Sequence, residues 1–303
     1  MRETSLRMVH ELARRDPRVV FVGSDLGAGA LDAMRQEFPD RFYMEGVSEA
    51  AIIGLAAGLA MDGYIPYVNT IATFITRRCY EQVAVDLCLH NLPVRLIANG
   101  GGLVYAPLGP THMAIEDLAI MRALPNMAVT AVADAEEMKR FMLATLDYPS
   151  PIYIRLGKGG DKVVTPADQV FTLGKSVELK PAKDVAFVTT GVMASRALGA
   201  AALLAEHGIE AGVLHMPTVK PLDDVALLAL ARRVPRLVTV EEHSRIGGLG
   251  SAVAELLIDN RLPTPLLRLA LPDSFPDDYG SQEHLLEVAG LDPKGIAQSV
   301  LRS

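Results

Sequence analysis

Tryptophan is absent from this 303-residue chain and aromatic residues make up only 5% of it. Its cores must therefore be built from Leu, Val, Ile and Ala, as in layered α/β proteins. Cysteine is nearly missing. Cys79 and Cys88 cannot form a disulfide framework and do not stand at metal-site spacing, which fits a reducing, cytoplasmic compartment. Positive charge is in deficit: 29 Lys and Arg against 36 Asp and Glu give a net charge of -7. No basic block follows the chain, so a nucleic-acid partner is disfavoured. Long apolar runs are missing too. The longest, from Ala50 to Met61, is Ala- and Gly-rich, falls short of the roughly 20 residues that cross a bilayer, and reads as a buried helix with no membrane role. Met1-Arg2-Glu3-Thr4-Ser5 is polar and lacks the pattern of a secretion signal, so export is not expected. No repeat or low-complexity tract is visible.

What is present is hydrophobic sequence, 50% of the residues, in short β-branched runs that alternate with longer stretches of helical period. That alternation predicts α/β architecture with parallel strands and crossover helices. Strands are expected at Val19–Val22, Tyr67–Asn69, Val94–Ala98, Met127–Thr130 and Ile152–Ile154. Helices are expected at Thr4–Arg14, Glu49–Met61, Phe74–Leu89, Ile115–Ala123 and Ala135–Leu146. Between residues 161 and 183 the pattern weakens into Gly, Lys, Thr and Pro, as a linker does. A second βα series follows, so the expected domains are 1–160 and 184–303, each doubly wound.

Chemistry is suggested first at Glu45-Gly46-Val47-Ser48-Glu49, where a strand ends at glycine and feeds a helix with Glu49 in its first turn. An acidic residue there complements the helix dipole without any catalytic role. The helix behind it, however, has almost no polar face before Asp62, which puts the carboxylate at a rim or interface. Phe74 taken alone reads as a core residue, Asp25 as a helix cap, and Arg77-Arg78 as a solvated face. His112 stands on a loop, in Gly109-Pro110-Thr111-His112, while the other six histidines are scattered without metal spacing.

Taken together, Glu45–Glu49, Ile71-Ala72-Thr73-Phe74, Arg78-Cys79-Tyr80-Glu81-Gln82, Gly109–His112 and Leu124-Pro125-Asn126-Met127 resemble the pyrimidine-binding half of transketolases, in order and spacing. Glu241-Glu242-His243-Ser244-Arg245-Ile246-Gly247-Gly248 resembles the signature of the transketolase C-terminal domain. The resemblance implies a thiamine-diphosphate pyrimidine-binding domain followed by a transketolase C-terminal domain. It makes Glu49 the carboxyl that holds the cofactor's pyrimidine nitrogen, Phe74 its stacking partner, and Asp25, Leu26, Arg78 and Tyr80 further lining of the cofactor pocket. His112 is then the group that orients the carbonyl substrate.

The Gly-Asp-Gly motif that holds Mg²⁺ and diphosphate in this family is missing. The resemblance therefore implies the small subunit of a split-gene transketolase. A large N-terminal-type subunit would supply the Mg²⁺ and diphosphate ligands, and this chain would pair with itself in an α2β2 assembly. The implied reaction moves a two-carbon ketol unit from a ketose to an aldehyde. Acyl transfer after decarboxylation of a 2-oxo acid, and a purely structural subunit, are the alternatives. Two departures bear on the small sugar substrate: Leu108 stands where the family has Asp, and Gly100 where it has His. A phosphate would fall to Lys158 and Arg2, and Tyr105 would reshape the pocket.

Overall fold

A computed structural model describes residues 1–23 and 28–303. Val19–Gly23 (β1) is buried at every position, as a strand between two helical layers must be. Parallel to it run β2 (Phe42–Met44), β3 (Ile65–Ile71), β4 (Arg95–Asn99), β5 (Ala128–Ala131) and β6 (Ile152–Leu156). A second sheet is built from β7 (Val177–Lys180), β8 (Val185–Thr189), β9 (Ala211–His215), β11 (Leu237–Ser244) and β12 (Leu266–Leu271), in the order β12-β11-β8-β9-β7. The expected α/β class and two doubly wound units are both present.

Two strands depart from the expected division. β7 lies inside the segment read as a linker, 161–183, and pairs antiparallel with β9. β10 (Thr218–Lys220) leaves the second half and pairs antiparallel with β5, which makes the first sheet seven-stranded in the order β10-β5-β6-β4-β3-β1-β2. Each has only three or four residues and a distant partner, so no local periodicity announces it.

In the first unit, α1 (Arg2–Arg15) and α7 (Ala135–Thr145) cover one sheet face, with Leu6, Val9, Leu12, Phe141 and Met142 packed on Phe21 and Ile154. The opposite face carries α3 (Glu49–Met61) and α6 (Asp117–Ala123), through Ile52, Ile53, Leu118 and Met121. A short α2 (Asp32–Glu37) precedes β2. The single helix expected over Phe74–Leu89 is broken into α4 (Ala72–Thr76) and α5 (Tyr80–Gln82), the latter running into a π-helical turn at Val83–Leu89. Cys79 leaves the helical range at φ -129°, and its thiol donates to the carbonyl oxygens of Phe74 and Ile75 that the break sets free. In the second unit, α8 (Met193–Ala205), α9 (Asp224–Arg233), α10 (Leu249–Asp259), α11 (Gln282–Val288) and α12 (Pro293–Leu301) sandwich the sheet.

The two units share a buried seam. Leu103, Ala106, Met113 and Ile115 of the first unit belong to the same core as Phe187, Val238, Val240 and Leu285 of the second. Across the seam, His215 Nε2 and Glu137 Oε2 are 2.9 Å apart, both fully buried.

Candidate active site

In an open parallel sheet, ligands collect at the carboxyl ends of the strands. Here β3 ends at Ile71 and delivers α4 with Phe74, while its neighbour β4 ends at Asn99 and delivers the loop that carries His112. Glu49 opens α3, which packs against β3. Glu49 is 1% exposed, and its Oε2 accepts from Arg78 Nη1 at 2.7 Å. Thr70 Oγ1 stands 3.5 Å from the other oxygen. Ser48 does not cap the helix, because its hydroxyl donates to the Glu45 carbonyl oxygen. The carboxylate itself thus meets the positive end of α3.

Above the Phe74 ring lies the Arg78 guanidinium, its central carbon 4.1 Å from the ring centroid. The His112 imidazole meets the same ring edge-on, with centroids 5.3 Å apart. Glu49, Arg78, Phe74 and His112 are therefore brought together. The guanidinium is a flat, delocalised group that stacks on an aromatic face while donating to a buried carboxylate. An aminopyrimidine needs those same two contacts. Arg78 is half exposed on a long flexible stem, so it can yield the face of Phe74 to such a ring. By this test the residues fit the pyrimidine end of thiamine diphosphate. Among the described residues, no group of three or more His, Cys, Asp or Glu is placed to hold a metal ion.

Other expected residues stand elsewhere. Tyr80 faces away: its hydroxyl donates to the Ile120 carbonyl oxygen at 2.8 Å and its ring packs on the core, so its role is to support α6. Lys158, just past β6, lines a cavity of about 530 Å³ with Lys162, Arg196 and Gln282. Arg2 is exposed at the start of α1, and Met1 packs on Gly157, which puts Arg2 near Lys158; the cavity that Lys158 lines is also lined by Val104 and Pro107 of the loop that carries His112. Tyr105 covers Gly100: a β-carbon there would collide with its ring, so the space vacated by a histidine is filled rather than enlarged. Leu108 is 51% exposed in a helical turn at Ala106–Leu108. His243 is buried at the seam between the two units, Nδ1 donating to the Ser244 carbonyl oxygen and Nε2 accepting from the Ala119 amide. Asp25 and Leu26 lie outside the described residues.

Sequence reasoning missed a buried charge network behind the His112 loop. Arg155, on β6, donates through Nε to Asp117 Oδ2 at 2.9 Å and through Nη2 to the carbonyl oxygens of Ala114 and Glu242. The Asp117 carboxylate also accepts from the Tyr153 hydroxyl. Glu242 Oε1 accepts from the Leu103 amide at 2.7 Å and from Gln282 Nε2 at 2.8 Å. Burial pushes the Glu242 carboxyl above the usual carboxylate range, opposed by Arg155 and these donors. A charged residue inside the apolar run Ile152-Tyr153-Ile154-Arg155-Leu156 was the available signal.

Two doubly wound units thus bring a buried carboxylate, an aromatic face and an imidazole together at the carboxyl edge of a sheet. Comparison with known proteins gives the chain its family. The "Transketolase, pyrimidine binding domain" family matches residues 1–160, and the "Transketolase, C-terminal domain" family matches residues 174–296. The chain belongs to the transketolase family. It is 37% identical to the 6-deoxy-6-sulfo-D-fructose transketolase subunit SqwH of a Clostridium species, covering 99% of this chain and 92% of that one. It is also 37% identical to the 1-deoxy-D-xylulose-5-phosphate synthase of Gloeobacter violaceus, but spans only 46% of that protein's length. A solved structure described as a split gene transketolase, inactive beta4 tetramer, superposes with a TM-score of 0.90 at 37% identity, covering 99% of this chain and 96% of that one.

Proposed function

We propose that this chain is the small subunit of a split transketolase, moving a two-carbon ketol unit from a ketose to an aldehyde. The observation that carries the reading is the buried Glu49 carboxylate beside the stacking face of Phe74 and the imidazole of His112. Thiamine diphosphate, when bound, supplies a carbon nucleophile whose formation depends on the tautomer of its aminopyrimidine. Glu49 would hold the pyrimidine nitrogen with a short charge-assisted hydrogen bond in a site shielded from water. Phe74 would fix the plane of the ring, and Arg78 would give up that face while remaining within reach of Glu49. His112 would orient the substrate carbonyl, since Nδ1 is engaged by Thr111 Oγ1 at 2.9 Å and Nε2 has no partner among the described residues.

Mg²⁺ and the diphosphate fall to a separate large subunit. That assignment is supported by the missing Gly-Asp-Gly motif and by coverage of nearly all of a relative that is itself named as a subunit. Self-pairing in an α2β2 complex is supported by the exposed apolar face of α3. The expected domain division, 1–160 and 184–303 about a linker, is kept as a division of labour: the first binds the cofactor, and the second supports it. Lys158 and Arg2 are retained as contacts for an anionic substrate tail, and Tyr105 as a wall of the pocket.

Equal identity to a deoxyxylulose-phosphate synthase favours one second reading, acyl transfer after decarboxylation of a 2-oxo acid. Product analysis of the reconstituted complex separates the two: hydroxypyruvate serves as donor in ketol transfer, pyruvate in the alternative. Glu49→Gln tests the site itself. Turnover should fall about 100-fold or more while subunit assembly persists. Full turnover in that variant would end the proposal.

A further inference from the structure

The loop that carries His112 is a closed excursion. Gly102 and Ala114 exchange two backbone hydrogen bonds at its base, each amide donating to the other's carbonyl oxygen, at 2.8 and 3.0 Å. Residues 103–113 lie between, compact and ends-together as an Ω-loop is. Inside it, turn hydrogen bonds run from Ala106 N to Leu103 O, Leu108 N to Tyr105 O, and His112 N to Gly109 O. Little of this fixes the loop against the first unit. Arg77 does so at the back, donating to the Met113 carbonyl oxygen at 3.0 Å and pairing with Glu116.

Further anchors come from the C-terminal unit. Leu103, Ala106 and Met113 are buried in that unit's core. The Glu242 carboxylate, from β11, takes the Leu103 amide at 2.7 Å and is itself held by Gln282 of α11. Its approach requires glycine at 102, where φ is +66° and a β-carbon would lie 2.5 Å from Glu242 Cδ. At the far end the Tyr279 ring covers Gly109, where φ is +80° and a β-carbon would lie 2.6 Å from Tyr279 Cε1. Tyr279 is 61% exposed, so its place over the loop is not needed to fill the core.

We infer that Glu242 and Tyr279 are positioning residues: through them the C-terminal unit sets the loop on which His112 meets the substrate carbonyl, and so sets donor affinity. The inference rests on the proposed role of His112. A buried amide left without its acceptor costs free energy, and the loop can recover it only by moving. Displacement of about 1 Å is enough to cost 10- to 100-fold in a reaction that depends on alignment. Glu49 and Phe74 belong to α3 and α4, outside the loop; His112 touches the Phe74 ring, but the helices that fix Glu49 and Phe74 do not move with the loop, so the cofactor should register the change far less than the donor does.

The test uses the complete complex of this chain with its large subunit. Glu242→Ala should raise the KM for the ketose donor 10- to 100-fold while cofactor affinity, read by titration, stays within about twofold. Amide hydrogen exchange over residues 100–114 should accelerate in the same variant. Glu242→Gln keeps an oxygen that accepts from Leu103, and should restore both readouts to within about threefold of the parent. Equal loss of donor and cofactor binding in Glu242→Ala, or failure of the Gln variant to rescue, would show a merely structural carboxylate and overturn the inference. Should Glu242→Ala not fold, Tyr279→Ala decides, with the same split between donor KM and cofactor affinity and faster exchange at residues 106–112. Unchanged KM and exchange there overturn the inference as well. If the parent complex turns over no ketose, the proposed function has failed, and hydrogen exchange alone still reports whether Glu242 holds the loop.

Discussion

Cys79 and Cys88 are the only thiols in the chain, and both are buried. Burial pushes the Cys79 thiol up to about 12, Glu49 adding to the effect, and raises Cys88 to about 11. A thiol must lose its proton to be nucleophilic, and at pH 8 neither will. Native protein treated with iodoacetamide at pH 8 should stay unmodified by intact mass, and urea-unfolded protein should take up two adducts. A rapidly labelled native thiol would contradict the burial described for these residues. At this same scale the site was partly legible. Glu49, Phe74 and His112 are each set by a short local motif, so their residue types and spacing lie open in the sequence. Glu242 and Arg155 were not, because their partners are remote: 139 residues separate Leu103 from Glu242 and 87 separate Arg155 from Glu242. Tyr80 misled for the reverse reason, since its proximity in sequence to Phe74 says nothing of where its hydroxyl turns.

Among the elements, α7 shows how one side chain can join a helix to the segment that leaves the domain. Asp134 caps α7, its Oδ1 accepting from the amides of Glu136 and Glu137, while Oδ2 accepts from the amides of Val164 and Thr165 and from the Thr165 hydroxyl. Burial alone would raise this carboxyl, but the hydrogen bonds outweigh it and the net shift is downward. A carboxyl lowered in the folded state contributes stability above its unfolded value of about 3.9, and that contribution is lost as pH falls through the folded value. Asp134→Ala should therefore cost about 2–4 kcal/mol at pH 7, read by urea unfolding, from a lost cap and orphaned amides. Below pH 4 the gap to the parent should narrow, and a gap that held constant would mean the charge plays no part. A helix such as α3 could be read from the sequence to the residue, because it is one unbroken apolar run. The break at Cys79 could not, because the helical pattern of Phe74–Leu89 continues through it and only tertiary contacts of Arg77 and Arg78 distinguish the two pieces.

For the whole molecule, the telling feature is an apolar surface that no other described residue covers. α3 has no polar face. Its inner side holds Ile52, Ile53 and Ala56, and its outer side exposes Ala50, Ala51, Gly54, Gly58 and Met61, beside Val85 and Leu89 of the neighbouring π-helical turn. An element hydrophobic all round is stable in water only when both sides are covered. Glu49 stands at the head of this helix, so under the proposed function a subunit that completes the cofactor site would approach near it. A face of small residues allows helices to pack closely. The expectation is that α3 buries its outer face against another subunit, and Gly54→Arg tests it. A β-carbon at Gly54 meets no atom within 4 Å, so the new side chain extends into solvent without strain, and replacing glycine in a helix favours the folded chain. Within an apolar interface the same guanidinium would be stripped of water without a partner, at a cost of several kcal/mol. The variant should therefore melt no earlier than the parent as a separate chain, yet elute at monomer mass in light-scattering chromatography and fail to join the large subunit of the proposed complex. If Gly54→Arg assembled as the parent does, the outer face of α3 would be a solvent surface and the partners would have to meet elsewhere.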